Sequence, residues 1–419
     1  MNIQDKLRQI ESLNLQKGIS FQPNSTFISD HPIDQVLNGE IKETPYGSYF
    51  YYEEDYPFDY THGIIQLAAF LNKPASLLSL IGKDPKFDDV DLKKVLFIDT
   101  ETTGLSGGSG ICAFLIGVGY FTENTFRLAQ YFMNDFNNEY ALLYDLNQFI
   151  ANHQLLVSYN GKCYDIPLLE SRNVFNQLKT PLSQILHLDL LHAVRRLWKQ
   201  SLPDCSLTTA ERQLLRASRK GDVPGSLIPQ IYFDYLRNKD ARALKPVFYH
   251  NQQDILTMVA LITKGMQLFE NPLEESENSV EILSLGRIYE GMIQLEQSIE
   301  LYNNYLKNSV DANNRRELLF RTAFNYKRLK NWSQAVKVWQ EYLAAESYHP
   351  LPYIELAKHY EHRDKNYAKA KYLVDKALEE INIVERLNGK KDWPNYKQDL
   401  EYRRKRLVKK MHKSSALSN

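Results

Sequence analysis

One stretch constrains this chain more than any other: Val95-Leu96-Phe97-Ile98-Asp99-Thr100-Glu101-Thr102-Thr103-Gly104-Leu105. Four apolar residues run straight into two carboxylates, then into small polar residues and glycine. The apolar part is short, uninterrupted and β-rich, as expected of a buried strand. Alternation along a strand puts residues i and i+2 on one face, so Asp99 and Glu101 point the same way. Two acids side by side at a buried strand end repel, and each resists ionisation. A hard divalent cation between them removes that cost, and Mg²⁺ or Mn²⁺ favours such oxygen ligands. The plainer alternative is an Asp N-cap followed by a solvated loop.

The remainder of the chain suits a cytoplasmic globular protein. Lys+Arg equals Asp+Glu at 51 each, so any nucleic-acid binding must come from local patches. The first residues lack a charged segment followed by an apolar core, which argues against a secretory signal. No apolar run approaches the ~18 residues of a membrane helix. Three cysteines, Cys112, Cys163 and Cys205, with no C-x-x-C pair fit a reducing compartment, with neither a disulfide frame nor a zinc site.

Residues 1–90 carry no chemistry that the sequence reveals. A short helix over Asp5 to Leu13, a strand over Ser48 to Tyr52 and a helix over Gly63 to Leu71 are expected there. From Asp99 the pattern is α/β. Strands are expected over Ala113–Tyr120, Phe126–Phe132 and Leu155–Tyr159, and helices over Asn138–Ala151 and from Tyr164. A short strand at His187–Leu191 passes into a helix through Trp198. Further helices begin at Ser206, Ile228 and Leu244. Three early strands joined by short turns, then alternating helix and strand, describe a mixed sheet flanked by helices.

After Pro272 the composition turns helical and self-similar. Gly286, Ala323 and Ala357 recur at spacings of 37 and 34, with Tyr289, Tyr326 and Tyr360 three residues beyond each. Ser298, Ala335 and Ala370 recur at 37 and 35. Small residues where helices cross, with large ones between, look like three tetratricopeptide helix pairs that offer a surface to a protein partner. The tail from Tyr396 is basic, with Arg403-Arg404-Lys405-Arg406. It reads as a capping helix with a solvated charged face, or as a phosphate-contacting tail.

Three further features pair with Asp99 and Glu101. Asp165 follows Tyr159-Asn160-Gly161 at a helix start, where it either joins the acids or merely caps the helix. His250 and Asp254 are i and i+4 on one helix face, as a working pair or an exposed one. Gly104 to Gly110 is a loop whose backbone could approach a nucleotide closely.

In this order, Asp-x-Glu at a strand end, Asp after Asn-Gly, and His-x-x-x-Asp resemble the DEDD-type 3′–5′ exonucleases of the ribonuclease H-like fold, from about Leu92 to Lys264. His187-Leu188-Asp189-Leu190-Leu191 followed by Arg195-Arg196-Leu197-Trp198, and Gly221 to Pro229, are similar to the YprB-like branch. That branch, also called mitomycin repair factor B-like, joins the nuclease domain to tetratricopeptide repeats.

The resemblance implies a ribonuclease H-like domain over 91–268, a tetratricopeptide-type solenoid over 275–385 and a basic helix or tail over 386–419. It implies two divalent metal ions, Mg²⁺ or Mn²⁺, held by Asp99, Glu101, Asp165 and Asp254. His250 would take the proton of the attacking water, since its ordinary pKa of ~6.5 suits neutral pH. Thr102, Gly104, Leu105 and Asn160 would meet the nucleotide. Arg195 and Arg196 head a run of seven basic residues ending at Lys220 that could track the phosphates, with Trp198 as a stacking surface or a core residue. Asp189 is a fifth acid behind the four or a plain strand-end residue.

The histidine subgroup commonly has four residues between His and the last Asp, and here there are three; Tyr249 gives the four-residue gap. Helix geometry favours His250, because four residues turn ~400° and five turn ~500°. The expected activity is a metal-dependent 3′–5′ exonuclease, on DNA rather than RNA, in DNA repair, with no membrane partner. The alternatives are a nuclease-like scaffold that binds nucleic acid without cutting, or a chain whose repeats are its function. A cysteine hydrolase on Cys163 lacks a partnered histidine in the sequence.

Overall fold

Residues 31–104, 110–308, 310–344, 349–388 and 393–417 are described by the structure, a computed structural model. The helix expected over Asp5 to Leu13, and Leu105, Gly107 and Gly108 of the glycine loop, lie outside these residues. The chain divides into two units, Met1–Glu270 and Asn271–Asn419. Among the described residues no helix is long and apolar enough to cross a membrane.

The first unit is built on strands β1 (Glu40–Thr44), β2 (Gly47–Pro57), β3 (Thr61–His62), β4 (Ile65–Gln66), β5 (Val95–Thr102), β6 (Ala113–Phe121), β7 (Thr125–Phe132), β8 (Leu155–Ser158) and β9 (Leu186–Asp189). Seven form one sheet in the order β1-β2-β7-β6-β5-β8-β9, and β3 and β4 pair separately. β5, β8 and β9 run parallel, and the other pairs are antiparallel. The sheet is therefore mixed, as the sequence implies. β1 and β2 extend it from a stretch to which the sequence assigns no role.

The helices of eight residues or more are α1 (Glu139–Ile150), α2 (Asp165–Phe175), α3 (Leu190–Trp198), α4 (Leu207–Leu214), α5 (Ile228–Asn238) and α6 (Lys245–Glu270). The helix expected over Gly63–Leu71 is replaced by a tight β3–β4 turn and a single 3₁₀ turn at Leu67–Phe70. Gly63 takes φ +60° there, and a Cβ on it would lie 2.1 Å from the Leu215 carbonyl oxygen. Long-range packing thus overrides the local helical spacing.

β5 shows why the site lies where it does. Val95 to Ile98 are fully buried. Phe97 packs on one side against Phe70 and Phe126, with ring centroids 5.7 and 6.2 Å away. Strand alternation puts Asp99 and Glu101 on the same face as Phe97, and Thr100 on the other. On the Phe97 face α6 crosses β5 and β6. Its approach depends on two glycines of β6. A Cβ on Gly117 would lie 2.0 Å from Asn251 Oδ1, and one on Gly119 would lie 2.5 Å from Ile255 Cγ2. Gly117 is the β6 partner of Asp99.

The second unit is helical: α7 (Ser279–Gly291), α8 (Leu295–Tyr305), α9 (Ala312–Arg328), α10 (Trp332–Ala344), α11 (Pro350–His362), α12 (Tyr367–Asn388) and α13 (Pro394–Leu417). The recurring small residues Ala323, Ala335, Ala357, Ala370 and Ser298 are fully buried. At Gly286 a Cβ would meet the Tyr302 ring at 2.1 Å.

The basic tail is the helix α13, and much of its charge is turned inward. Glu361 of α11 is buried, and Arg403, Arg406 and Lys410 reach it at 2.5, 2.7 and 2.9 Å. Burial would push this carboxyl up, but bonds from Arg406 and Lys410 and the charge of Arg403 hold it down, at about 2.

Candidate active site

The acids arrive from three elements. Asp99 and Glu101 end β5, Asp165 opens α2, and Asp254 lies one turn along α6 from His250. Asp165 comes from the other side of the strand. It accepts a hydrogen bond from Thr100 Oγ1, the residue between Asp99 and Glu101. The turn that delivers it is tight. Asn160 adopts φ +65°, a left-handed conformation that Asn tolerates better than most residues. Gly161 leaves no room for a side chain, since its Cβ would lie 2.4 Å from Ser158 Oγ and 3.1 Å from Asp165 Oδ2.

Asp189 is buried and fastens this turn. Its carboxylate accepts from the Asn160 and Lys162 backbone N–H groups at 2.8 and 3.1 Å. It also caps α3 through Leu191 N at 3.0 Å. Of the two readings open for Asp189, its contacts show a support behind Asp165.

A buried amide chain holds Asp99 from behind. Asn251 Nδ2 donates to Asp99 Oδ2 at 2.8 Å. Gln130 Nε2 donates to Asn251 Oδ1 at 2.7 Å, and Gln252 Nε2 donates to Gln130 Oε1 at 3.2 Å. With Asn251 and Gln130 fully buried, these bonds fix one orientation of the Asp99 carboxylate.

His250 faces the acids. Its Nε2 lies 4.0 Å from Glu101 Oε1 and 3.7 Å from Asp254 Oδ2, while Nδ1 is 2.8 Å from Asp222 Oδ1. Tyr249, one residue back, accepts from the Lys220 backbone N–H at 3.4 Å.

The carboxylates strain against one another. Burial, then the charges of Asp254 and Asp165, push Asp99 well above the usual range. Burial, then Asp99, Asp254 and Asp165, do the same to Glu101. Burial brings Asp165 to about 6, against the Thr100 bond that lowers it. Asp254 is also raised by burial, opposed by Arg219 and His250. This donor set fits hard divalent cations, because the oxygen ligands are hard and their excess negative charge is unmet. Among the described residues, however, no group of three or more His, Cys, Asp or Glu side chains is arranged to hold a metal ion.

One cation is already present. Arg219 is buried, with Nε 2.6 Å from Glu211, Nη1 3.3 Å from Asp222 and Nη2 2.5 Å from Asp254. The sequence groups Arg219 with a phosphate-tracking run, and its contacts correct that: it serves the acids from inside. Asp222, within the Gly221 to Pro229 stretch, is the partner of His250. Arg196 is likewise turned inward, onto the Ile81 carbonyl. Trp198 is 1% exposed and belongs to the core, so it offers no stacking surface. Arg195 stays exposed beside Asn160, Tyr159 and Lys199 in a cavity of about 860 Å³. Thr102 Oγ1 donates to the Gly104 carbonyl at 2.8 Å, closing the start of the glycine loop.

Residues 96–265 match a family model, RNase_H_2, of the RNase H superfamily. The chain is similar to protein YprB of Bacillus subtilis (strain 168), 29% identical over 335 residues that cover 78% of this chain and 79% of that protein. Among solved structures, the family B DNA polymerase from the hyperthermophilic archaeon Pyrobaculum calidifontis aligns with a TM-score of 0.35 and 12% identity. The alignment covers 50% of this chain and 28% of that polymerase, so the chain spans under a third of the polymerase's length. Residues 96–265 are thus similar to the RNase H superfamily, in a chain similar to YprB over most of its length.

Proposed function

We propose that the first unit is a metal-dependent 3′–5′ exonuclease that acts on DNA in preference to RNA, in DNA repair. The observation that carries this reading is the convergence of Asp99, Glu101, Asp165 and Asp254 into mutual electrostatic range beside His250. The four carboxylates would hold two Mg²⁺ or Mn²⁺ ions, whose positive charge would offset the negative charge on the entering and leaving oxygens of a phosphodiester.

The chain's own residues supply the rest. Nδ1–H of His250 donates to Asp222, which leaves the Nε2 lone pair facing Glu101 and Asp254. Nε2 takes the proton of the attacking water, and Asp222 stabilises the imidazolium that results. The amide chain through Asn251 keeps Asp99 in one orientation throughout. Arg195 and Lys199 bind phosphates of the strand from the neighbouring cavity, and Thr102, Gly104 and Asn160 border the terminal nucleotide. The second unit, read as tetratricopeptide-type pairs, recruits a protein partner in the cytoplasm.

A 5′-labelled oligonucleotide with Mn²⁺ or Mg²⁺ tests this. The expected result is a ladder shrinking from the 3′ end, absent with EDTA and in Asp99→Asn. The variant should melt above the unaltered metal-free protein, since it removes one of four repelling acids. No ladder on single-stranded, nicked or 3′-overhang DNA or on RNA would favour a scaffold that binds without cutting. The ion pair between Arg219 and Asp254 is the observation on that side.

A further inference from the structure

The group least explained by this chemistry is Arg219. Its guanidinium is a planar fork with two prongs fixed. Nε rests on Glu211 at 2.6 Å and Nη1 on Asp222 at 3.3 Å. Glu211 is itself anchored, because His62 Nε2 lies 3.1 Å from Glu211 and 2.9 Å from Thr257 Oγ1. Side-chain exposures of 4% for His62, 2% for Glu211 and 5% for Arg219 put the whole row out of solvent. The third prong, Nη2, projects at Asp254 Oδ1. It is 2.5 Å away, and its charge opposes the rise that burial imposes on the Asp254 carboxyl. The two anchored prongs hold the third in place.

We propose that Arg219 is a positioning residue that occupies the Asp254 side of the acid cluster as a fixed monovalent cation, which a divalent ion must displace from Asp254 in order to bind there. The proposal rests on the metal-site reading above. Its consequence is unequal cation positions. Among the described residues no lysine or arginine forms an ion pair with Asp99 or Glu101, which meet the Asn251 amide and the His250 imidazole instead, so this side fills first. The Asp254 side competes with a charge that is tethered and already desolvated, so it fills late. Burial opposes the charge on Arg219, but Asp254 and Glu211 outweigh it and keep the guanidinium ionised. Arg219 also stabilises the metal-free site, because it pairs directly with Asp254, Asp222 and Glu211.

The experiment is a Mn²⁺ titration of the full chain, with free Mn²⁺ read from its paramagnetic resonance signal. The unaltered protein is expected to bind Mn²⁺ in two classes whose affinities differ at least tenfold. In Arg219→Gln the weak class should tighten at least tenfold toward the strong one, while the metal-free melting temperature falls. Arg219→Lys keeps the charge but cannot span three carboxylates, and should tighten the weak class only a fewfold. Equal affinities in the unaltered protein would overturn the proposal without a variant that must fold. So would Arg219→Gln leaving the weak class unchanged or weaker. No Mn²⁺ binding by the unaltered protein would remove the metal-site reading itself, and this proposal with it.

Discussion

The closest test of how fold and site depend on each other is Gly117→Ala. The added Cβ would stand 2.0 Å from Asn251 Oδ1 and 2.6 Å from Ile255 Cδ1, where ordinary contact begins at 3.4 Å. About 1.4 Å of movement is therefore needed, in a helix packed on two strands. Overpacking of this kind costs ~1–3 kcal/mol. Moving the Asn251 amide also breaks its bond to Asp99, worth ~1.5–3 kcal/mol where the carboxylate is charged. The sum is about 2.5–6 kcal/mol. At ~2–4 °C per kcal/mol for a unit of this size, the first unit should melt roughly 5–24 °C lower.

Hydrogen exchange over Lys245–Glu270 and a thermal melt on the full chain would read the effect. Gly110→Ala is the control, since nothing among the described residues lies within 4 Å of its Cβ, and it should move the melt by under ~1 °C. A Gly117→Ala protein that melts within 2 °C of the unaltered chain would refute the claim that β6 glycines set the distance between α6 and Asp99.

Two further predictions concern charge. Asp222→Asn should lower the rate of the proposed phosphodiester hydrolysis ~10²–10³-fold with little change in KM, because a neutral amide cannot stabilise the His250 imidazolium as the carboxylate does. An unchanged rate would detach Asp222 from the chemistry. Glu361, held down at about 2 against an ordinary 4.5, contributes stability that is present above pH 4.5 and lost as pH falls through about 2. Glu361→Gln should thus speed exchange over α13 roughly 30- to 100-fold at pH 7, equivalent to ~2–3 kcal/mol, with the difference vanishing near pH 2; equal exchange at pH 7 would show that α13 docks by apolar contact alone.

What the sequence discloses and what it hides follow a physical division. β5 is legible because a fully buried strand leaves an unbroken apolar run, and Asp99 and Glu101 are legible because nothing apolar explains them. The repeat positions are legible because close helix crossings demand small residues, and Gly286 against Tyr302 shows how literal that demand is. Arg219 is not legible. A basic residue in a basic run looks the same whether it faces water or three carboxylates, and only Glu211, Asp222 and Asp254, brought together by packing, distinguish the two. Arg196, and Arg403 of α13 against the buried Glu361, are misplaced from sequence for the same reason. Asn251 and Gln130 escape notice because an amide announces no chemistry until its partner is known. Gly63–Leu71 has a helical look that the close approach of the Leu215 backbone overrides.

The placement of α6 has a consequence for how the protein is made. This helix is the last long element of the first unit, and it brings His250, Asn251 and Asp254 to a sheet whose own acids were laid down much earlier. Asp254 follows Asp99 by 155 residues. At the usual ~5–20 residues per second of translation, a nascent chain therefore carries Asp99 for about 8–31 s before its last acid exists. Through that interval the strand acids lack both the amide that orients Asp99 and the imidazole that faces Glu101. A polypeptide abandoned on the ribosome before this helix carries three of the four acids and neither of those partners, so premature termination leaves the site incomplete.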